Sequence, residues 1–248
     1  MKSPKKQFAK LTIVAVGAAL VFGCSKTDGN GQPVSLNDAT SQRQVQQSIQ
    51  AQQSAAAQKG DKSIPLSSYQ PTRSGNTLMF AYLALTPPPI DYEKVAASLS
   101  RDYRDQNDEF KKRDLLNSLK PGIDREITKA KEDKYYYIGI DSNPVLGKYD
   151  FDSKSFPVNA FDSETSYRYF YDNSDYKLQF SNSQKFKNLV VASEEQARTI
   201  ESLRSKYNGL DLRVYYFAND TILGEKRLNA EIMKIQVVDS KGNVLAEM

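Results

Sequence analysis

The side chains able to do acid–base or nucleophilic chemistry are few in kind. The chain of 248 residues contains no histidine and a single cysteine, Cys24. Without imidazole there is no Ser-His-Asp triad, no Cys-His pair and no zinc site built on histidine. One thiol cannot form a thiolate cluster, and no Gly-rich phosphate loop is present. Three sets of residues remain. Paired carboxylates can run glycoside hydrolysis where an acid and a base stand about 5 to 10 Å apart. Asp150-Phe151-Asp152 and Asp172-Asn173-Ser174-Asp175 offer oxygens of the kind calcium takes. Lys154, however, stands where an EF-hand loop needs its third ligand, so turns in which Asp and Asn bond their own backbone are the favoured reading. The third set is aromatic: Tyr135-Tyr136-Tyr137, Tyr169-Phe170-Tyr171 and Tyr215-Tyr216-Phe217. Alternate residues of a strand face opposite sides. One row of each is therefore either core with hydroxyls reaching water, or a contact surface made of Tyr135, Tyr137, Arg168, Tyr169, Tyr171, Arg213 and Tyr215. No catalytic residue, metal ligand or cofactor is expected.

The elements that must position these residues begin after a long N-terminal region. Lys2, Lys5, Lys6 and Lys10 precede twelve uncharged residues, Leu11 to Phe22, and then Gly23 and Cys24. This is a basic n-region, an apolar h-region and a small residue before a cleavage point. The apolar run is short of the ~20 residues of a membrane span. From Gly23 to Ser68 there is no aromatic residue, and Gln42 to Gln58 is rich in Gln and Ala. Such composition does not bury a core. It reads as a solvated linker or as a helix over about residues 39–59 with Val45 and Ile49 on one side. A tether of this size reaches roughly 130 Å fully extended and about 35 Å as a flexible coil.

Order is expected from Ile64. Asn76 to Leu85 is an apolar run that suits a helix or a core strand, closed by Pro87-Pro88-Pro89. Asp91 and Asp108 read as helix N-caps, the second ahead of Phe110, Leu115, Leu116 and Leu119. Pro121 reads as the first turn of a third helix with Ile123, Ile127 and Ala130 on one side. Short aromatic strands follow over Tyr135–Ile140, Tyr149–Phe151, Phe156–Phe161, Tyr167–Tyr171, Tyr176–Phe180 and Leu189–Val191. Ser193 and Gln196 form a capping box for a helix that buries Ala197, Ile200 and Leu203. Leu212–Ala218 and Ile232–Val238 read as strong strands, and Ser240-Lys241-Gly242-Asn243 as a turn into Val244-Leu245. Helices followed by strands give an α+β domain. N-terminal helices pack on a mainly antiparallel C-terminal sheet, with one more helix inserted near 193–207.

Leu20-Val21-Phe22-Gly23-Cys24-Ser25 resembles the bacterial lipoprotein signal, whose lipobox ends in a lipidated Cys. The resemblance implies a signal peptide over 1–23 cleaved between Gly23 and Cys24, a tether over 24–63 and a single domain over 64–248. It also implies acyl chains, palmitate among them, on Cys24, and Ser25 in place of Asp implies the periplasmic face of the outer membrane. Outer-membrane lipid is then one partner. Cleavage removes four lysines and no acid, leaving 30 basic residues against 30 acidic ones. The apparent positive charge is an export feature, so nucleic acid is not an expected partner. Pro88-Pro89-Ile90-Asp91-Tyr92-Glu93-Lys94, Phe110-Lys111-Lys112-Arg113-Asp114-Leu115-Leu116 and the Tyr135-Tyr136-Tyr137 strand are similar to an uncharacterised domain family of Gram-negative envelope proteins. That likeness covers about Ser67 to Glu247 and carries no catalytic assignment. The expected function is a lipid-anchored periplasmic binding or scaffolding module, an accessory of an envelope or secretion complex, with an envelope protein or peptidoglycan as partner. The alternatives are a peptidoglycan-acting enzyme using paired carboxylates and a structural lipoprotein without a ligand pocket. Cys24→Ala is expected to abolish acyl labelling and move the protein out of the membrane fraction. Unchanged labelling overturns the anchor.

Overall fold

The computed structural model describes residues 59–140, 144–163, 167–206 and 209–248. Gly23, Cys24 and nearly all of the tether lie outside the described residues. Five α-helices are present among them: α1 Gly75–Leu85, α2 Tyr92–Leu99, α3 Arg101–Arg104, α4 Glu109–Glu132 and α5 Glu194–Ser205. The strands are β1 Gln70–Pro71, β2 Tyr135–Ile140, β3 Ser155–Pro157, β4 Tyr167–Arg168, β5 Lys177–Phe180, β6 Asn188–Val190, β7 Leu210–Ile222, β8 Arg227–Asp239 and β9 Val244–Glu247. The chain is α+β, with helices leading into a mixed, mainly antiparallel sheet. No helix among the described residues is long and apolar enough to cross a membrane.

The large sheet runs β1-β2-β7-β8-β5-β4, and β9 also pairs with β8; β3 and β6 make a separate two-stranded sheet. β8 carries β5 along Arg227–Ala230, and β9 along Gln236–Val238. Strand alternation sends Tyr136, Ile138 and Ile140 of β2, Leu212, Val214 and Tyr216 of β7 and Leu228, Ala230 and Ile232 of β8 to one face, where they are buried. Helix α1 lies on that face with Leu78, Met79, Ala81, Tyr82 and Leu83 buried. Its apolar run is a helix because Ser74 Oγ caps it, accepting from Thr77 N at 3.2 Å, and the chain leaves it before Pro87. The caps at Asp91, Asp108 and Ser193 all form. In α5, Gln196 also reaches back, accepting from Ala192 N at 2.8 Å.

Four elements differ from expectation. Pro121 does not start a helix; it lies inside α4. An interior proline removes one helix bond and costs about 3 kcal/mol. Here Asn117, whose carbonyl loses that bond, and Pro121 itself are exposed. Burial of Ile123, Ile127 and Ala130 beyond it, with Leu115, Leu116 and Leu119 before it packed on the core, keeps both halves in line. Tyr149–Phe151 is not a strand: Asp150 makes a single antiparallel bridge to Ser155, and the chain turns over Phe151–Lys154, where Asp150 Oδ1 accepts from Asp152 N and Ser153 N. Phe156–Phe161 pairs with β6 to Pro157, makes one bridge from Val158 to Leu146, and then turns into a 3-10 helix at Asn159–Phe161. Tyr167–Tyr171 pairs only through Arg168.

Below the sheet centre Thr72 Oγ1 and the Tyr216 hydroxyl form a buried hydrogen bond of 2.6 Å. Burial raises the Tyr216 pKa well beyond the ordinary tyrosine value. Tyr136 stacks on Tyr216 at 5.7 Å and 24°. Thr72→Val and Tyr216→Phe are each expected to cost about 1–3 kcal/mol by orphaning a buried hydroxyl. The double variant is expected to cost less than the sum, measured by denaturant unfolding.

Candidate functional site

Opposite the face that holds Tyr136 and Tyr216, further tyrosines fall in two regions. In the first, Tyr135, Tyr137 and Tyr215 stand together, with Tyr135 opposite Phe217 and Tyr137 opposite Tyr215 across the β2–β7 ladder. The segment entering the domain lies over them. Tyr69 meets Tyr135 and Tyr215 edge-on, each at 5.3 Å. Gly60 N donates to Glu231 Oε2 at 3.1 Å, and Asp61 N donates to the Tyr135 hydroxyl at 2.7 Å. A Cβ on Gly60 would stand 2.5 Å from the Met233 sulfur and 2.9 Å from Phe217 Cβ, so only glycine lets the backbone come this close. Tyr215 is buried, its hydroxyl donating to Gln236 Oε1 at 3.1 Å. Burial pushes the Tyr69 phenol up to about 12. Arg213 lies two register positions beyond this cluster, paired with Gly139 and Gln236. Tyr215 is thus buried, and Tyr135 and Tyr137 half-buried, in one aromatic cluster.

The second region is open. Tyr167, Tyr169 and Tyr171 are 41%, 46% and 93% exposed. Their ring centroids follow one another at 6.3 and 5.7 Å, close to the two-residue repeat of an extended chain. Tyr167 stands opposite Gln179 of β5. Lys177 Nζ lies 4.6 Å over its ring and the Arg227 guanidinium 5.5 Å, cation–π contacts worth about 0.5–1 kcal/mol at exposed sites. Arg227 also donates to Gln179 Oε1 at 2.6 Å and pairs with Glu225. Arg168 does not join this surface. It turns inward, donating to the Ala160 carbonyl at 2.8 Å, and burial lowers its pKa. Of the expected contact residues, the structure therefore brings Tyr169 and Tyr171 together, adds Tyr167, Lys177 and Arg227, and places the rest elsewhere. The sequence signal for Tyr167 was the period-two spacing 167, 169, 171; nothing local points to Arg227.

The loop carrying Tyr171 is fixed to the start of α1. Gly75 N donates to Asp172 Oδ1 at 2.9 Å, and Asn173, buried, donates to Asn76 Oδ1 at 3.0 Å and lies 3.6 Å from the Met79 sulfur. Asp175 pairs with Lys226 at 2.7 Å. The two aspartate clusters are therefore spent on local structure: one closes the Asp150 turn, the other caps α1 and holds a lysine. Among the described residues no group of three or more acidic or thiol side chains converges as a metal site would require.

Two clefts lie elsewhere. One of about 330 Å³ is lined by Gln70, Ser74, Phe80, Glu126, Lys129 and Asp133. The other, about 520 Å³, lies between Tyr149, Phe151 and α5 and includes Glu194, Arg198 and Glu201. Arg198 pairs with Glu194 and Arg204 with Glu201. The hydrogen bond from Arg204 holds Glu201 below the usual glutamate value, the reverse of what a general acid near neutral pH needs. The other carboxyls that the structure shifts, Asp61, Asp91, Asp150, Asp239 and Glu247, are likewise lowered, chiefly by hydrogen bonds.

These features define an α+β domain with one aromatic cluster roofed by its own entry segment and a second left open at the sheet edge. Residues 95–201 match the model of a domain of unknown function, DUF4852. The match begins within α2, ends within α5, and contains the whole Tyr167–Tyr171 ladder. No curated protein and no solved structure matches the chain.

A Cβ on Gly75 would meet the Asn173 carbonyl oxygen at 2.5 Å, a backbone atom that cannot rotate away. Gly75→Ala is expected to lower stability by about 1–3 kcal/mol in denaturant unfolding. An unchanged midpoint would show that the Asp172–Asn173 loop yields freely.

Proposed function

We propose that this chain is a lipid-anchored binding module of the bacterial cell envelope whose contact surface is the Tyr167-Tyr169-Tyr171 ladder. The observation that carries the reading is the exposure of three tyrosines at alternate positions, their rings in succession, beside Lys177 and Arg227. Tyrosine and arginine are enriched at the energetic centres of interfaces, and clustered exposed aromatics mark interaction sites. The domain has the material to cover aromatic rows, since Gly60 to Tyr69 roofs the other cluster, yet leaves this one in water. The lipobox-like setting of Cys24 supports the anchor, and the aromatic-free tether supports a domain held away from the membrane. The rival reading, a wall hydrolase, gains less. The two glutamates of the larger cleft are tied up in arginine pairs.

The test is crosslinking and affinity capture of the lipidated full chain from whole envelopes, with and without Tyr169→Ala and Tyr171→Ala. The paired substitution is expected to abolish recovery of the partner while changing stability by no more than about 0.5 kcal/mol, as for other exposed positions. Equal recovery by the variant, or cleavage of peptidoglycan by the protein, overturns the reading.

A further inference from the structure

Strand β4 ends the large sheet. Tyr167 and Arg168 pair with Gln179 and Leu178 of β5, and among the described residues no strand pairs with β4 on its other side. The chain stays extended at Phe170, with φ −115° and ψ 145°. Open strand edges invite a further strand, and proteins guard them with prolines, charged side chains, bulges or very short edge strands. The opposite end of this sheet has such a guard, Pro71 in β1, which has no N–H to offer. β4 has no proline, and its one charged side chain, Arg168, is half-buried and bonded to the Ala160 carbonyl. β4 is only two residues long, yet its outer edge carries no proline block beside the ladder.

Ring geometry narrows the partner. A sugar platform presents ring faces side by side. Here Tyr169 and Tyr171 stand at 80° to each other, and the Tyr167 ring already stacks with Lys177 and Arg227. Charge narrows it further. Lys226 is paired with Asp175 and Arg227 with Glu225. Lys177 faces no carboxylate within ion-pair distance among the described residues, so the surface holds one uncompensated cation.

Resting on the ladder as contact surface, we propose that its partner is an extended polypeptide segment that adds to the outer edge of β4. Apolar or aromatic side chains at alternate positions lie against Tyr167 and Tyr169, and an acidic side chain meets Lys177. Main-chain hydrogen bonds to β4 supply affinity, and the alternate side chains supply selectivity.

The test places a photoreactive p-benzoylphenylalanine at Tyr169, and at exposed Phe110 as control, in the lipidated full chain, and irradiates intact envelopes. The expected adduct at 169 is a polypeptide mapped to one segment. A synthetic copy of that segment is then titrated against the detergent-solubilised full chain. N-methylation of the alternate amides that face β4 is expected to weaken binding by about tenfold or more, as loss of two backbone hydrogen bonds implies. Methylation of the intervening amides leaves binding unchanged. A glycan adduct, or equal sensitivity to both methylation patterns, overturns strand addition and leaves the ladder as a contact surface. No adduct above the Phe110 control overturns both.

Discussion

Strands β7 and β8 pair antiparallel along nearly their whole length, from Leu210 opposite Asp239 to Ile222 opposite Arg227. Every other strand of the large sheet attaches to one of them directly or through a single neighbour. β2 adds to β7 and carries β1, while β5 and β9 divide the free edge of β8 between them and β5 carries β4. The pair also sets which side chains face the helices. Register shifts lie at Tyr215/Tyr216 and Ala218/Asp220, and strand alternation sends neighbouring Tyr215 and Tyr216 to opposite faces. Tyr216 closes the core under α1, and Tyr215 joins the roofed cluster. A one-residue slip would exchange those roles along the whole strand.

Against that frame the helices act as clamps on the loops. The start of α1 receives Asp172 and Asn173, so a short loop far along the chain is fixed by the first helix of the domain. The position of Tyr171 thus depends on Gly75, nearly a hundred residues earlier. An apolar face on α4 that continues past Pro121 shows the same dominance of tertiary burial over local preference: the buried Ile123 and Ile127 outweigh the missing hydrogen bond at an exposed turn.

The legible parts of the fold were those decided within a few residues. Asp91, Asp108 and Ser193 were recognisable as caps because their side chains bond amides two or three positions on. Strand β2 and the Ser240–Asn243 turn were plain for the same reason. The tyrosine site was only half legible. Tyr135-Tyr136-Tyr137, Tyr169-Phe170-Tyr171 and Tyr215-Tyr216-Phe217 carry the same pattern, and nothing in it distinguishes a central strand from an edge. Sorting them needed the strand order, which places β2 and β7 in the interior and β4 at the end. The entry segment was invisible for a related reason. Its partners Glu231 and Tyr135 lie 171 and 74 positions away, and Gly60 in isolation looks like a simple stop.

Gly60 and Asp61 are also the first described residues to hold the sheet, ahead of Tyr69 and the parallel pairing of Gln70 and Pro71 with Tyr136 and Tyr137. A load arriving along the preceding chain must therefore peel the Gly60–Glu231 and Asp61–Tyr135 bonds one after another, then draw out Tyr69, before it reaches β1. The ladder hangs from the far end of the same sheet, five strands away from β1. Tension at the entry falls on those two bonds first, and the Tyr167–Tyr171 ladder lies at the opposite end of the sheet.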